Sequence, residues 1–349
     1  MNLVRKLAVL FLIIVVVTGA FAAWLYTSLT TGVQHENSEE YVVIAYGSTP
    51  DQIVETLKSE NIIQSALATK LYFRLIDRDV RLQAGDYLFP SPISPMQAIS
   101  LLEKGKKRTE SFTIPEGWTR FEIAKRIARQ FPSDPPLGYE EVLAMMDDTS
   151  LIQDIDSSAT NLEGYLYPST YQLEIGSPAE DVIATMVQQF RNVWQPAWNK
   201  LALERGRTPR EIMIIASLIE NESKVDQERP LVASVIYNRL ERQIPLGIDA
   251  TNVYIAKLQN RWDGIIHKSD VEVDHPYNTR KISGLPPGPI SSPSKSAIEA
   301  ALNPAQTDYL YYVLDVEKND GSHHFYATGA EFLEGKRTYQ RWLKQQRRD

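Results

Sequence analysis

An uncharged apolar run from Leu7 to Tyr26 is the feature that most constrains this chain. Inside a bilayer only a helix satisfies the backbone groups of such a run, and about 20 residues span the hydrocarbon core. Arg5 and Lys6 precede the run, whereas the flank beyond it is acidic. The positive-inside rule therefore predicts a single-pass helix at 7–26 in the plasma (inner) membrane, with residues 1–6 in the cytoplasm and the body outside it.

A cleaved signal peptide is the alternative interpretation of this segment. Residues 20–22 (Ala-Phe-Ala) match the small-residue pattern of a cleavage site. The apolar run nevertheless continues past them to Tyr26, which favours a retained anchor. We therefore predict the anchor and keep cleavage at 20–22 as the alternative.

Composition excludes several classes of function. The formal net charge is -7 at pH 7, and a nucleic-acid-binding protein needs a basic surface for phosphates, so we expect no nucleic-acid partner. The chain has no cysteine, which excludes disulfides, thiolate nucleophiles and cysteine metal sites. Its five histidines include no helical H-x-x-x-H pair, so a zinc site is not expected.

Residues 27–40 are polar and predict a short tether, with ordered structure beginning at Tyr41. Beyond it the pattern predicts strands at 41–46 and 86–89, and helices at 50–57, 66–76 and 95–102. Thr49 is a preferred N-cap residue, and Pro50 suits the first helical position. The strand-helix-helix-strand order defines a first module at 41–108.

Residues 109–349 form the second predicted domain. It begins with a weaker echo of the first module, a strand and a helix at 109–135, which we interpret as a second βα module. The stretch 245–295 is rich in proline and is predicted to be loop-rich. A mixed helical stretch is expected at 139–155 and long helical periodicity at 178–205. Helices are expected at 209–223, 229–242, 294–302 and from 330, with a strand at 309–314. The predicted fold class is α+β, with a helix-rich second domain.

The most informative helix runs from Glu211 to Ser223 and carries two glutamates at its end. Its central residues are apolar on all faces apart from Ser217, which predicts a buried helix. Glu222 continues the bulky apolar stripe, whereas Glu220 follows a smaller and more polar face. A carboxyl group against apolar walls has a raised pKa, which suits a general acid near neutral pH. Glu222 is thus the better candidate for a proton donor.

The alternative is that both glutamates are solvated residues at a fraying helix end, paired with Lys224 or Arg229. A buried charge is costly unless it is paired, so an ion pair with one of these cations would let a glutamate stay ionised without a raised pKa. The residue pattern alone does not separate the two interpretations.

Several motifs around this helix resemble those of the endolytic murein transglycosylases of the MltG/YceG type. The Glu-x-Glu helix and the Gly-Leu-Pro-Pro-Gly stretch are the most specific of them. The matching segments are 215–223 (IASLIENES), 228–229 (ER), 232–240 (VASVIYNRL), 246–254 (LGIDATNVY), 277–279 (YNT) and 284–290 (GLPPGPI). The resemblance extends over essentially the whole chain.

The resemblance implies a bacterial membrane enzyme with a LysM-like module at 41–108 and a transglycosylase domain at 109–349. It assigns the catalytic acid to the second glutamate of the Glu-x-Glu-Ser motif, which is Glu222 here. Asn221 stands between the glutamates where lysine is common in the family, and this change leaves the assignment intact. The resemblance also implies peptidoglycan strands as substrate, peptidoglycan synthases as partners and a role in terminating strand elongation.

The implied reaction cleaves the β-1,4 bond between MurNAc and GlcNAc within a glycan strand. Protonated Glu222 donates to the glycosidic oxygen, and the N-acetyl carbonyl of the substrate stabilises the oxocarbenium-like centre. Ionised Glu222 then takes the proton of the C6 hydroxyl group, which closes on C1 to give a 1,6-anhydro end. No water, metal or organic cofactor takes part.

Loops near the acid supply candidate sugar contacts. Hydroxyl and amide groups suit sugar hydroxyls, and a backbone of Gly and Pro is rigid and open to close approach by a ligand. The candidates are Tyr277, Asn278, Thr279, Gly284, Leu285, Pro286, Pro287 and Asp249. The alternative for the polar residues is turn chemistry, in which side chains bond nearby backbone. For Glu163, in an aromatic turn, a structural role is preferred.

Two other functions stay open. A hydrolytic muramidase would use the same acid with water and a second carboxylate, for which Asp249 and Glu220 are the local candidates. A non-catalytic scaffold would bind the cell wall through the module at 41–108. Anhydro-ended products indicate the transglycosylase, reducing ends the muramidase, and intact strands the scaffold.

Overall fold

The computed structural model describes residues 3–45, 47–75, 82–105, 109–131, 136–318 and 320–346. The predictions for Met1, Asn2, Tyr46, Ile76 and residues 132–135 lie outside the described residues. The chain divides into two compact units, Met1–Glu110 and Ser111–Asp349. Helices and small sheets are mixed in the described part, which agrees with the predicted α+β class.

The first unit begins with one long apolar helix, α1 (Leu3–Thr30). Its segment Leu7–Thr30 has a mean hydropathy of 2.7 and is long enough to cross a bilayer. Large apolar side chains along it, such as Phe11 and Leu12, are exposed. The predicted apolar helix at 7–26 is confirmed, and it continues to Thr30.

A strand-helix-helix-strand module follows, in the predicted order. Its elements are β1 (Val42–Ile44), α2 (Pro50–Ser59), α3 (Ala66–Leu75) and β2 (Gly85–Tyr87), and α4 (Pro95–Lys104) comes after them. β1 and β2 pair antiparallel, with Val43 opposite Asp86. Thr49 caps α2 as predicted, because its hydroxyl oxygen accepts from the backbone N–H of Gln52 at 3.3 Å. The apolar residues of the module form a core of their own.

Residues 27–40 are not the free tether that the sequence predicted. α1 occupies them up to Thr30, and Val33 then pairs with Ile93 through two backbone hydrogen bonds of 2.8 and 3.0 Å. Ordered structure therefore begins before Tyr41. The sequence did not predict this order, because backbone hydrogen bonds hold the segment and such bonds need no apolar side-chain pattern.

The second unit is mostly helical. Its helices are α5 (Arg120–Gln130), α6 (Tyr139–Met145), α7 (Ala179–Val193), α8 (Pro196–Glu204), α9 (Pro209–Glu222), α10 (Arg229–Glu241), α11 (Asp249–Leu258), α12 (Lys268–Glu272), α13 (Lys295–Leu302) and α14 (Gly329–Gln346). Two small sheets join β3 (Thr109–Thr113) to β4 (Thr170–Glu174) and β5 (Tyr311–Leu314) to β6 (His323–Tyr326). The strand and helix predicted at 109–135 are β3 and α5.

Two predictions for this unit are confirmed in outline and refined in detail. The stretch 245–295 is loop-rich as predicted, but it also contains α11 and α12; two of the buried residues of α11 are Thr251 and Asn252, so no continuous apolar stripe marks it. The helical periodicity predicted at 178–205 belongs to two helices, α7 and α8, because Pro196 begins α8. β4 and β6 were missed, since they have only 5 and 4 residues.

α9 packs against four other helices of the second unit, α8, α10, α11 and α13. Thr208 caps it through a capping box with Glu211, and Pro209 takes the first helical position. Every residue from Ile212 to Ile219 is buried. The predicted buried helix is confirmed, and its C-terminal turn carries both glutamates.

Candidate active site

Glu222 is the last residue of α9 and lines a cavity of about 330 Å³. The walls come from the turn before α5, the end of α9, one face of α11 along its length and the segment before α13. The other lining residues are Gly117, Thr119, Asn221, Asp249, Ala250, Val253, Tyr254, Lys257 and Ile290. Most of these side chains are polar or small, which suits a polar ligand.

One oxygen of the Glu222 carboxyl group is held and the other is free. Tyr312 of β5 donates its hydroxyl hydrogen to Oε2 at a distance of 2.5 Å. No other group in the described part of the chain forms a hydrogen bond with this carboxyl group. Oε1 is therefore available to a ligand.

Burial raises the pKa of Glu222 above its usual range. The hydrogen bond from Tyr312 opposes this effect, because it stabilises the ionised form. Among nearby charges Asp249 raises the pKa, while His323 and Arg280 lower it. Burial is the largest effect, so the carboxyl group keeps its proton to a higher pH than an exposed glutamate does, as a general acid requires.

Glu220, two residues earlier, is fully paired. Its side chain and that of Arg229 are each 6% exposed, and Arg229 Nη1 lies 2.6 Å from Glu220 Oε2. The backbone N–H of Ser294 donates to the same oxygen at 2.8 Å. The pairing alternative thus applies to Glu220 and not to Glu222, which agrees with the helix-face argument.

Asp249 begins α11 and lines the same cavity as Glu222, so the structure brings these two predicted residues together. Its Oδ1 accepts hydrogen bonds from Arg280 Nε at 2.8 Å and Nη2 at 2.5 Å. Both side chains are substantially exposed. Arg280 therefore occupies one oxygen of the Asp249 carboxylate at the cavity.

Tyr277 packs behind the cavity wall. Its ring centroid lies 5.0 Å from that of Tyr254, which does line the cavity. Burial raises the pKa of Tyr277 to about 12, so its hydroxyl group remains a hydrogen-bond donor near neutral pH. The position of Tyr277 supports the shape of the wall through Tyr254.

Asn278 and Thr279 are completely buried. The Asn278 amide donates to two backbone carbonyl groups at 3.0 and 2.7 Å. Thr279 Oγ1 accepts from the backbone N–H of Ile248 at 2.9 Å, immediately before α11. These contacts favour the turn-chemistry alternative, in which Asn278 fixes the end of α12 and Thr279 fixes the start of α11 and thereby Asp249.

The stretch 284–287 shapes a loop beside the site. Gly284 has φ of +100°, a conformation that favours glycine. Leu285 packs against the main core, Pro286 is buried, and the carbonyl of Pro287 accepts a 2.6 Å hydrogen bond from an arginine of α9. These four residues are not among those that line the cavity within the described residues, whereas Ile290, at the end of the same loop, is.

Tyr312 and Lys257 are among the residues of the site that were missed from the sequence. Tyr312 is 90 positions from Glu222, on a strand whose residues are all half-buried, so no pattern distinguishes it. Lys257 lines the cavity and donates to Glu122 Oε1 at 2.9 Å. It was missed because it lies on α11, a helix in a stretch predicted to be loop-rich.

Glu163 is buried beside the cavity wall. Its carboxylate oxygens accept from the backbone N–H of Arg120 at 3.0 and 3.2 Å, and it shares a hydrogen bond with Tyr254. Burial raises the pKa of Glu163 to about 7. These contacts agree with the structural role preferred from the sequence.

The sequence of this chain is similar to that of a known protein family and of several of its members. The YceG-like family model matches residues 42–338. An endolytic murein transglycosylase of Bacillus subtilis strain 168 is 32% identical over 312 residues, which cover 85% of this chain and 83% of that protein. One from Streptococcus pneumoniae strain D39 is 31% identical over 309 residues, 80% of this chain and 55% of the relative. The chain thus spans about half the length of the streptococcal protein.

A solved structure of the same family also matches this chain. The crystal structure of a YceG-like protein from Listeria monocytogenes shares 32% sequence identity with this chain, at a TM-score of 0.55. The match covers 84% of this chain and 98% of that one. By sequence and by fold, the chain belongs to the YceG-like family.

Proposed function

We propose that this protein is a lytic transglycosylase that cuts peptidoglycan glycan strands internally, at the β-1,4 bond between MurNAc and GlcNAc. The observation that carries the proposal is Glu222, a carboxyl group with a raised pKa and one free oxygen on the wall of a polar cavity. Relatives named endolytic murein transglycosylases support the substrate class.

The proposed reaction begins with protonated Glu222, which donates its proton to the glycosidic oxygen as the C1–O bond breaks. The acetamido carbonyl of MurNAc stabilises the positive charge that develops at C1, so no second enzyme carboxylate is needed. Ionised Glu222 then takes the proton from the C6 hydroxyl group, whose oxygen bonds to C1. The products are a 1,6-anhydro end and a free GlcNAc hydroxyl, and Glu222 is protonated again.

The contacts of the neighbouring carboxylates favour this reaction over hydrolysis. A muramidase with the same acid needs a second carboxylate as a base or nucleophile. Glu220 is neutralised by Arg229 inside the fold, and Asp249 is held by Arg280. Neither is a free base, whereas the internal C6 hydroxyl group requires only the glutamate that has just lost its proton.

The remaining elements suggest where the enzyme acts. We propose that α1 anchors the chain in the plasma membrane of a bacterium, with its N-terminus in the cytoplasm and the chain that follows α1 outside. The module at 41–108 acts as a LysM-like glycan-binding element. An enzyme held in this position meets strands as they are made, so cleavage would terminate their elongation next to peptidoglycan synthases.

Mass spectrometry of digested glycan strands tests the proposal. Uncrosslinked strands incubated with the full chain in detergent are expected to yield 1,6-anhydroMurNAc ends. Glu222→Gln should retain the melting temperature and strand binding but lose about 10²–10⁴-fold in cleavage rate, the usual contribution of a general acid. Glu241→Gln, on an exposed residue at the end of α10, is the matched control and should cleave normally.

Three outcomes contradict the proposal. Reducing ends in place of anhydro ends would identify a muramidase. Strands that are bound but left intact by the wild-type chain would identify a scaffold. Full activity in Glu222→Gln would move the acid to another residue.

A further inference from the structure

The hairpin of β5 and β6 reaches the candidate acid through one side chain. Tyr312 lies opposite Phe325 in the antiparallel register, and its hydroxyl group is 2.5 Å from Glu222 Oε2. Burial raises the pKa of Tyr312 well above 10, so the phenol stays protonated and can only donate to a carboxylate. The contact is therefore stronger when Glu222 is ionised than when it is neutral.

A second contact ties the same hairpin to the chain just after α9. The ring of His323 stands at 76° to that of Tyr312, with centroids 5.4 Å apart. Glu228 accepts hydrogen bonds from the backbone N–H of His323 at 2.8 Å and shares one with its Nδ1 at 3.0 Å. Because Glu228 follows Glu222 by one short turn, the hairpin is fixed at two points and Tyr312 has little freedom to leave the carboxyl group.

We propose that Tyr312 is a positioning residue for Glu222, whose hydroxyl group holds Oε2 so that Oε1 is the oxygen that gives up and takes back the proton. This inference rests on the proposed function, since it assigns the two oxygens their parts in that reaction. Among the described residues Oε1 has no hydrogen-bond partner, which leaves it free for the glycosidic oxygen and then for the C6 hydroxyl group. The hydrogen bond to Oε2 strengthens as the proton leaves and so stabilises the ionised intermediate.

The proposal has a definite consequence for pH dependence. Tyr312→Phe removes a group that lowers the pKa of Glu222, so that pKa rises further. The other charged groups around the carboxyl group stay in place: Asp249, Arg280, His323 and Arg239. Because the acid must be protonated to act, the alkaline limb of kcat/KM should move upward by about one pH unit. The rate at the optimum should fall about tenfold, since a higher pKa makes proton donation harder.

The experiment compares Tyr312→Phe with Tyr311→Phe in the full chain in detergent. Tyr311 is the adjacent tyrosine on β5, and its ring stacks on Phe332 with a centroid separation of 4.8 Å, so its change is a matched loss of one hydroxyl group. Rates of anhydro-end formation are measured across pH. The pKa of Glu222 is followed separately by NMR of ¹³C-carboxyl-labelled glutamate, with the resonance assigned by its loss in Glu222→Gln.

The expected result is an upward shift of both the alkaline limb and the NMR titration in Tyr312→Phe, with neither shift in Tyr311→Phe. Loss of activity in Tyr312→Phe without a change in either titration would overturn the proposal, because a merely structural role predicts that pattern. An unchanged rate and titration would overturn it as well. If the wild-type chain forms no anhydro ends, the proposed function fails, while the NMR titration still tests the Tyr312 contact.

Discussion

The buried ion pair at the end of α9 makes a quantitative prediction for Arg229→Met. Arg229 Nη1 and Nη2 lie 2.6 and 3.1 Å from the two oxygens of Glu220, and both side chains are 6% exposed. Methionine keeps much of the packing volume but removes the charge, so Glu220 stays buried with the Ser294 donors alone. Breaking a buried pair from one side costs about 3–5 kcal/mol.

The reverse change should cost less. In Glu220→Gln the amide oxygen can still accept from Arg229, and Arg229 keeps a second carboxylate, because its Nε lies 2.9 Å from Asp226 Oδ1. The side chain of Asp226 is 68% exposed, so this second pair reaches solvent and needs little compensation. We expect a loss of about 1–3 kcal/mol for Glu220→Gln. The double variant should be more stable than the sum of the two single losses predicts, since it leaves no unpaired buried charge.

Thermal unfolding of the full chain in detergent measures these differences, with the buried Trp194 and Trp198 as fluorescent reporters of the second unit. For a unit of this size about 2–4 °C corresponds to 1 kcal/mol, so Arg229→Met should melt about 10 °C lower. Lys295→Met is the control, because it removes a cation from an exposed pair with Glu299 at 3.5 Å and should change the melting temperature by less than about 3 °C. Equal losses for Arg229→Met and Glu220→Gln, or strictly additive losses in the double variant, would refute the reasoning.

Two further predictions concern the turn around Glu163. Gly164 has φ of +85°, and an added Cβ would lie 2.6 Å from the Pro289 side chain, so Gly164→Ala should lower the free energy of unfolding by about 2–4 kcal/mol. Gly176→Ala is the control and should cost about 1 kcal/mol, because φ there is +78° but the space is open. Equal melting temperatures for the two variants would contradict this prediction. Because burial raises the pKa of Glu163 from 4.5 to about 7, the folded chain binds this proton more tightly than the unfolded chain, and stability falls as the pH rises between these values. Glu163→Gln should remove about 3 kcal/mol of that pH dependence. Melting temperatures of the wild-type chain and of Glu163→Gln, measured from pH 4 to pH 8, test this. Parallel curves for the two proteins would contradict the prediction.

Local patterns in the sequence were sufficient where a single face or cap determines the structure. The apolar residues of α9 defined that helix from the sequence, and they placed Glu222 and Glu220 on different faces. Thr49 as N-cap and Pro50 at the first helical position likewise marked the start of α2. In these cases the interactions connect residues within one or two turns, so the pattern contains the information.

The rest of the site depends on contacts between distant segments. α11 buries Thr251 and Asn252, whose polar groups bond to Thr279 and to the backbone carbonyl of Asp270 in α12, so no apolar stripe marks this helix in the sequence. Tyr312 approaches Glu222 only because β5 pairs with β6 and the hairpin contacts the end of α9. Asn278 and Thr279 were proposed as sugar contacts because amide and hydroxyl groups suit sugars, yet the same groups equally suit backbone, which is what they bind.

The two glutamates at the end of α9 lie in different surroundings, which is the basis for proposing different roles for them. Glu220 has the surroundings expected of a carboxylate that stabilises a fold, with an arginine and two donors of Ser294 around it. Glu222 is half-buried, yet its only hydrogen bond among the described residues is from a neutral phenol. A carboxyl group in that setting is costly when ionised, so it favours the protonated form. Since Glu222 lines a cavity, the proposed proton transfer to a bound glycan strand would account for this unfavourable placement.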